Sequence, residues 1–473
     1  MTHEDLMTTV QRQWDSAVQP SLERLVEIPA LSPAFDPDWA ASGHLDAAIA
    51  HVETWIADRG LAGATTRVLR LPGRTPLLVV DVPATSGAED AGTVLLYGHL
   101  DKQPPVGGWS EGLGPWTPVV KDGRLYGRGA ADDGYAAYAA TTAVEALRAT
   151  GGAHARAVIL LETGEESGSP DLPAYLAELS EELGEVSLVV CLDSGAGDYR
   201  RIWLTTSLRG MAQLRVRVTV LDAGQHSGMA GGVVPSSFRV LRVLLDRIED
   251  AETGRLLLPE LSVEVPANRV EEVREAIEAV PNLVSDGIPM PADVRPIVDD
   301  PVEQALNNTW RPTLSVIGAA GLPDPDEAGN VLRPSTTLAL SFRLPPTADP
   351  EAALAALRTA LTSDVPYGAR VELERSECAP GWNAPEVAPW LASALATASD
   401  EVFAAPWRTM GIGGSIPFMG LLHAAYPSAQ FVVTGALGPG SNAHVPDESL
   451  QLDYAAKITA AVAVVLDAHA RRD

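Results

Sequence analysis

Short apolar runs alternate with helix-like stretches between Leu77 and Asp193. Leu77 to Val82, Thr93 to Gly98, Ala157 to Leu161 and Leu188 to Leu192 have the length of buried strands, and the alanine-rich stretch Tyr135 to Leu147 has that of a helix. This interleaving predicts an α/β sheet. From about Arg209 the period changes. In Leu214 to Val220 apolar and polar residues alternate strictly, as on a sheet with one face on a core and the other toward solvent. A helix-like segment follows at Ser236 to Asp250, where Phe238, Leu241, Leu245 and Ile248 recur at three to four residues. Thr337 to Arg343 alternates again, then come a helix near Pro350 to Leu361 and a strand near Arg370 to Glu374. Strand, helix, strand, strand, helix, strand is a small α+β layer. The stretch Pro266 to Asn308 is less regular, with an acidic amphipathic piece at Val270 to Val280. After Pro380 the α/β texture resumes, and Gln430 to Thr434 leads toward His444. The division expected is a first domain in residues 1–207 and 380–473, with a second inserted at 208–379.

A length of 473 residues agrees with two domains, since a single core seldom grows that large. The net charge of 34 − 62 = −28 argues against a nucleic-acid partner, because phosphate binding needs a cationic surface. Cys191 and Cys378 are far apart in sequence and neither has metal spacing, so a reducing, cytoplasmic setting is expected. The polar, acidic stretch Met1 to Gln19 does not read as a signal peptide, and no apolar run is long enough to span a membrane.

The candidate chemistry sits just after the strands, where open α/β sheets place their ligands. His99-Leu100-Asp101 follows one apolar run, Glu162 to Glu166, with the adjacent Glu165 and Glu166, follow another, and Asp193 ends a third. Asp132 and Asp133 come after the glycine-rich Gly127 to Ala131, and His444 lies in Gly438 to His444. Singly, each has a bland reading as a cap, a solvated acid or a structural histidine. Together they read as a two-metal hydrolase. An imidazole with a carboxylate two residues on is a way to hold and orient a metal ligand. A carboxylate shared by two cations about 3.5–4 Å apart would polarise a carbonyl and generate hydroxide near neutral pH. Neighbouring residues on a turn point apart, so one of Glu165 and Glu166 can bind metal while the other faces substrate as a base.

The chain resembles the metallopeptidase family that includes carnosine dipeptidase, cytosolic nonspecific dipeptidase, aminoacylase and glutamate carboxypeptidase, and is most similar to its dipeptidase branch. The matching blocks are Tyr97 to Asp101, Asp122 to Gly129 through Asp132-Asp133, Glu165 to Gly168, Leu208 to Gly210, His226 to Gly228, Phe342-Arg343 and Gly413 to Pro417. The resemblance implies a mixed-sheet catalytic domain of zinc-peptidase type with an inserted α+β lid, or dimerisation, domain of ferredoxin-like topology. It implies two divalent metal ions, zinc foremost, with manganese or cobalt also suited to such donors. His99, Asp132 and Asp193 would bind one, and Asp132, Glu166 and His444 the other. Asp101 would hydrogen-bond His99, and the peptide between Asp132 and Asp133 would be cis. Glu165 would be the general base. His226 would reach the oxyanion from the lid, in the family often across a homodimer, with Asn330 near it. Arg343 would clamp a substrate carboxylate, and Gly414 and Ser415 would line the substrate.

Departures from the family pattern bear on the substrate. Where dipeptidases of this group usually carry an acidic residue before Gly-Gly-Ser, Met410-Gly411-Ile412 precede Gly413. Ala223-Gly224-Gln225 stands where an aspartate commonly precedes the lid histidine by two, and Gly134-Tyr135 replaces a usual Lys-Gly. Ile412 would make the amine side of the pocket more apolar than in a general dipeptidase. The expected activity is therefore hydrolysis of a small peptide, with an N-acyl-amino acid as the alternative substrate. An inactive binding or scaffold relative is disfavoured, because it would be free to lose Glu165.

Overall fold

The computed structural model describes residues 3–403, 405–414 and 417–472. It divides into two compact units, one of Met1–Thr206, Ala384–Met410 and Leu421–Asp473, the other of Ser207–Asn383 and Gly411–Gly420. The segment Gly411–Gly420, which the sequence pattern leaves with the flanking parts, groups with the second unit.

The first unit is built on a six-stranded sheet in the order Thr65–Leu69, Leu77–Val82, Arg156–Glu162, Thr93–His99, Val186–Cys191, Gln430–Val433. The last four run parallel and the first two antiparallel, so the sheet is mixed. Every residue of Thr93–His99 is buried, which is why that run is continuously apolar rather than alternating. The parallel strands Thr93–His99, Arg156–Glu162 and Val186–Cys191 all end at the same edge. Helix Tyr135–Ala149 is buried along almost its whole length, since its alanines let neighbouring backbones approach. Helix Leu452–Ala470 packs against it. The amino-terminal stretch, read in sequence only as polar, forms helix His3–Gln13 continued by Trp14–Val18. Leu6, Val10, Trp14 and Val18 recur every four residues and are buried, and the Trp14 indole donates to Thr459 Oγ1 (3.1 Å).

The second unit carries a four-stranded antiparallel sheet in the order Thr313–Ala320, Ser335–Leu344, Gly210–Thr219, Arg370–Ala379. With helices Ser237–Leu245 and Pro350–Thr362 this is a βαββαβ arrangement, with its two βαβ crossovers interleaved. Alternate residues Ala212, Leu214, Val216 and Val218 join Leu338, Leu340 and Phe342 in the core. Asp349 starts the second helix by accepting the Glu351 and Ala352 amides at 3.0 and 3.2 Å, with Pro350 behind it. The first helix is shorter than its apolar repeat suggests. It ends at Leu245, buries Val240, Leu241 and Leu244, and leaves Phe238 42% exposed. The strand expected at Arg370 to Glu374 continues to Ala379, because a bulge between Leu373 and Arg375 interrupts the alternation rather than the strand. Edge strand Thr313–Ala320 leaves Val316 and Ile317 exposed. Among the described residues no helix is long and apolar enough to cross a membrane, and Cys191 and Cys378 are free.

Candidate metal centre

His99 is the last residue of its strand and is fully buried. Its Nδ1 lies 3.0 Å from the Asp101 carbonyl and 3.5 Å from the Asp101 carboxylate. The bond expected from the Asp101 side chain is thus made at closest by its main chain. The carboxylate is occupied instead by the amides of Glu165 (3.1 Å) and Glu166 (3.0 Å), one on each oxygen. Asp101 therefore fixes both the imidazole and the Glu165–Ser167 turn.

The other face of His99 looks onto acids. Its Nε2 is 3.4 Å from Asp132 Oδ1 and 3.9 Å from Asp193 Oδ2. Asp132 and Asp133 are joined by a cis peptide bond. The second Asp132 oxygen lies 2.9 Å from His444 Nε2, which is 3.4 Å from Glu166 Oε2. Glu166 also accepts from Gln103 Nε2 (2.6 Å). The adjacent glutamates diverge: Glu166 shares ligand-forming distance with His99 and Asp132, Glu165 with His99 and Asp193, each set within 4.8 Å.

The donors fit a divalent cation. His99 Nε2 is buried with no hydrogen-bond partner among the described residues, although carboxylates surround it. Burial, reinforced by the charge of Asp132, pushes Glu166 up to about 8 and Asp193 up to about 7. Burial, reinforced by Asp193, also holds Glu165 well above the carboxylate range. So many acids resist ionisation together, and a dication relieves that repulsion. Burial disfavours a charge on His99, but Asp101, Asp132 and Asp193 outweigh it and raise its pKa well above the ordinary value. The bond to Asp132 lifts His444 to about 9 against opposing burial.

Several supporting groups escape sequence reasoning. Glu448 is fully buried and accepts the backbone amides of Gly129, Ala131 and Asp132. Lys102 donates to the carbonyls of Leu25, Val26 and Ile28 at the end of helix Gln19–Glu27. Burial lowers its pKa to about 7. Glu162 accepts from Tyr97 and from Ser169 Oγ, and burial pushes it up to about 7. Only long-range proximity reveals these contacts: in sequence Glu448 and Lys102 are charges beside loops, while Glu162 opens the expected stretch Glu162 to Glu166 without its bonds being foretold.

The remaining candidates lie in the second unit. His226 sits on the short strand Gln225–His226, paired with Val331–Leu332, and Ser227 donates its amide to the Asn330 carbonyl (2.9 Å). The amide of Gly228 donates to His226 Nδ1 (3.1 Å). Arg343 lies between Thr313 and Met211 in register, on the face opposite core-bound Phe342. Arg209 organises the same end of the sheet, its Nε donating to Gly413 O (2.9 Å), its amide to Gly414 O (3.1 Å) and its Nη1 to Thr313 Oγ1 (3.2 Å). Ile412 ends strand Arg408–Ile412. Ser415 lies outside the described residues.

Comparison with known proteins gives a consistent affiliation. Residues 95–468 match "Peptidase family M20/M25/M40". The cysteinylglycine-S-conjugate dipeptidase of Corynebacterium striatum is 28% identical over 76% of this chain and 77% of its own length. The human Beta-Ala-His dipeptidase is 30% identical over 54% of this chain and only 50% of its own. Among solved structures, human carnosine dipeptidase 1 superposes with a TM-score of 0.76 at 21% identity, covering 99% of both chains. Dug1p from Saccharomyces cerevisiae does so at 0.73 and 21%, covering 100% of both. At such identity these two speak for the fold. With the family match running over most of the chain and a set of metal donors at the strand ends, the chain belongs to peptidase family M20/M25/M40 and is a hydrolytic enzyme of that metallopeptidase family.

Proposed function

We propose that the protein is a two-metal dipeptidase that cleaves the amide bond of a small substrate ending in a carboxylate. The observation that carries this reading is the convergence of His99, Asp132, Glu165, Glu166, Asp193 and His444 at one end of three parallel strands. His99, Asp132 and Asp193 are assigned to one cation, and Asp132, Glu166 and His444 to the other, with Zn2+ the first choice and Mn2+ or Co2+ suited to the same donors. Cations bound there would polarise the scissile carbonyl and acidify a water molecule.

Glu165 would take the water proton and pass it to the leaving amine. Its backbone is fixed by Asp101 while its carboxylate diverges from Glu166, so it can move a proton without surrendering a ligand. Because His226 Nδ1 accepts from Gly228, the neutral ring carries its hydrogen on Nε2, the atom that would donate to the developing oxyanion. Asn330 would hold that loop in place through Ser227. Arg343 would pair bidentately with the substrate carboxylate, beside the Gly413–Gly414 turn that Arg209 secures. The names of the curated relatives support dipeptides as substrates.

Ile412 favours a second reading, an N-acyl-amino-acid amidohydrolase, since no acid precedes Gly413 to hold a free amine. Side-by-side hydrolysis of free and N-acetylated dipeptides by Zn2+-loaded protein separates them. Faster cleavage of free dipeptides supports the first, preference for the acylated ones the second, and no metal-dependent turnover of either refutes both. A homodimer is also proposed, supported by the open edge of strand Thr313–Ala320 with exposed Val316 and Ile317. The free cysteines suit a cytoplasmic location.

A further inference from the structure

Asp132 and His444 come from segments more than 300 residues apart, yet their side chains meet at 2.9 Å. His444 is itself 54% exposed, so packing around its ring cannot place it. Strands Arg124–Tyr126 and Ser449–Gln451 pair to bring the two segments together, and a buried ion pair lies directly behind the two side chains. Glu448 Oε1 accepts the amides of Gly129 (3.0 Å), Ala131 (3.2 Å) and Asp132 (3.3 Å), a concave run of donors that needs a negative partner. Glu448 Oε2 accepts from Arg128 Nη1 at 2.7 Å, and Arg128 Nη2 donates to the carbonyl of Val445, the residue after His444. Both side chains are at most 1% exposed. The Glu448 carbonyl also accepts the Gly127 amide (3.0 Å), and Ser449 closes the His444 loop by donating to Ser441 O (2.8 Å).

We propose that Arg128 and Glu448 are positioning residues that hold Asp132 and His444 in register for the cation the two would share, an inference that rests on the two-metal reading above. The arrangement requires a carboxylate. Both oxygens of Glu448 face only donors, so a glutamine would turn its NH2 either toward three amides or toward the guanidinium. It also asks for a forked cation, since Arg128 reaches Glu448 and Val445 with two different nitrogens.

The test is calorimetric titration of Zn2+ into chelator-stripped wild type, Glu448→Gln and Arg128→Lys, with circular dichroism to verify the fold of each. The wild type is expected to take up two equivalents. In both variants the weaker step should lose 10–100-fold in affinity, the range typical for groups that orient ligands. Glu448→Gln should cost less in a His444→Ala background, where that ligand is already gone. Isotherms identical to wild type would overturn the proposal. So would equal weakening of both steps with the full cost retained in the His444→Ala background, or loss of the metal-free fold in both variants, because each assigns the pair to general stability. A wild type that binds no Zn2+ would overturn both this inference and the function beneath it.

Discussion

Replacing Glu165 by glutamine removes one proton-accepting atom and leaves the side chain's size unchanged. The amides of residues 165 and 166 still donate to the two Asp101 oxygens at 3.1 and 3.0 Å. Glu166 therefore stays beside His444 and Gln103, and none of His99, Asp132, Asp193 or His444 is disturbed. Metal content should remain at two equivalents. Loss of a general base typically costs about 10²–10⁴ in rate, which is about 2.7–5.4 kcal/mol of barrier at roughly 1.36 kcal/mol per decade. The assay is zinc content after dialysis, with kcat and KM on a dipeptide measured on the same preparation. The expected result is a kcat at least about 100-fold down with KM little changed, the signature of an interaction made only in the transition state. The geometry also supplies the refutation. The Glu165 carboxylate lies within 4.8 Å of the ligand atoms of His99 and Asp193, so if it is a ligand the variant will lose an equivalent of metal. Either that loss or an unchanged kcat would sink the assignment of Glu165 as base.

Three further outcomes are expected. Phe342→Ala empties a fully buried position in the core of the second unit and should cost about 3–5 kcal/mol, read by denaturant titration, while Zn2+ uptake stays as in wild type. His469 is buried against Trp390 and Ser187, and burial, with Arg472 beside it, lowers its pKa to about 3. The unfolded chain then binds the proton first, so this contribution to stability is complete above the ordinary value of about 6.5. It fades as pH falls from there toward 3, and His469→Phe should lose less thermal stability than wild type between pH 7 and 5. If the proposed homodimer forms through the open edge strand, Ile317→Lys places a charge there and should shift the light-scattering mass from that of a dimer to that of a monomer. An unchanged dimer would exclude this edge as the interface.

The sheets were legible because their physics is local. Thr93 to Gly98 is continuously apolar because both faces of that strand are covered, and Gly210–Thr219 alternates because one face is not. The candidate donors at the strand ends could be read for the same reason, since His99 ends its strand and Glu165 and Asp193 come a few residues after theirs. Helix His3–Gln13 was hidden by its many polar residues, the buried Leu6 and Val10 being enough to dock it on Leu452–Ala470. The groups that hold the donors were not legible either. Glu448 looks like a surface acid until its carboxylate meets amides from residues 129–132, a contact spanning more than 300 positions. Asp101 was recognised as an orienting residue, but its principal charge, the amides of Glu165 and Glu166, depends on a turn that no spacing rule foretells.

That double grip by Asp101 has a consequence for how such a centre can change. A residue assigned to metal and a residue assigned to the proton hang from the two oxygens of one carboxylate, so they move as a rigid couple. A shift that improved the fit of a different cation at Glu166 would drag Glu165 off its line to the water. On those assignments metal preference and proton transfer are tied together mechanically.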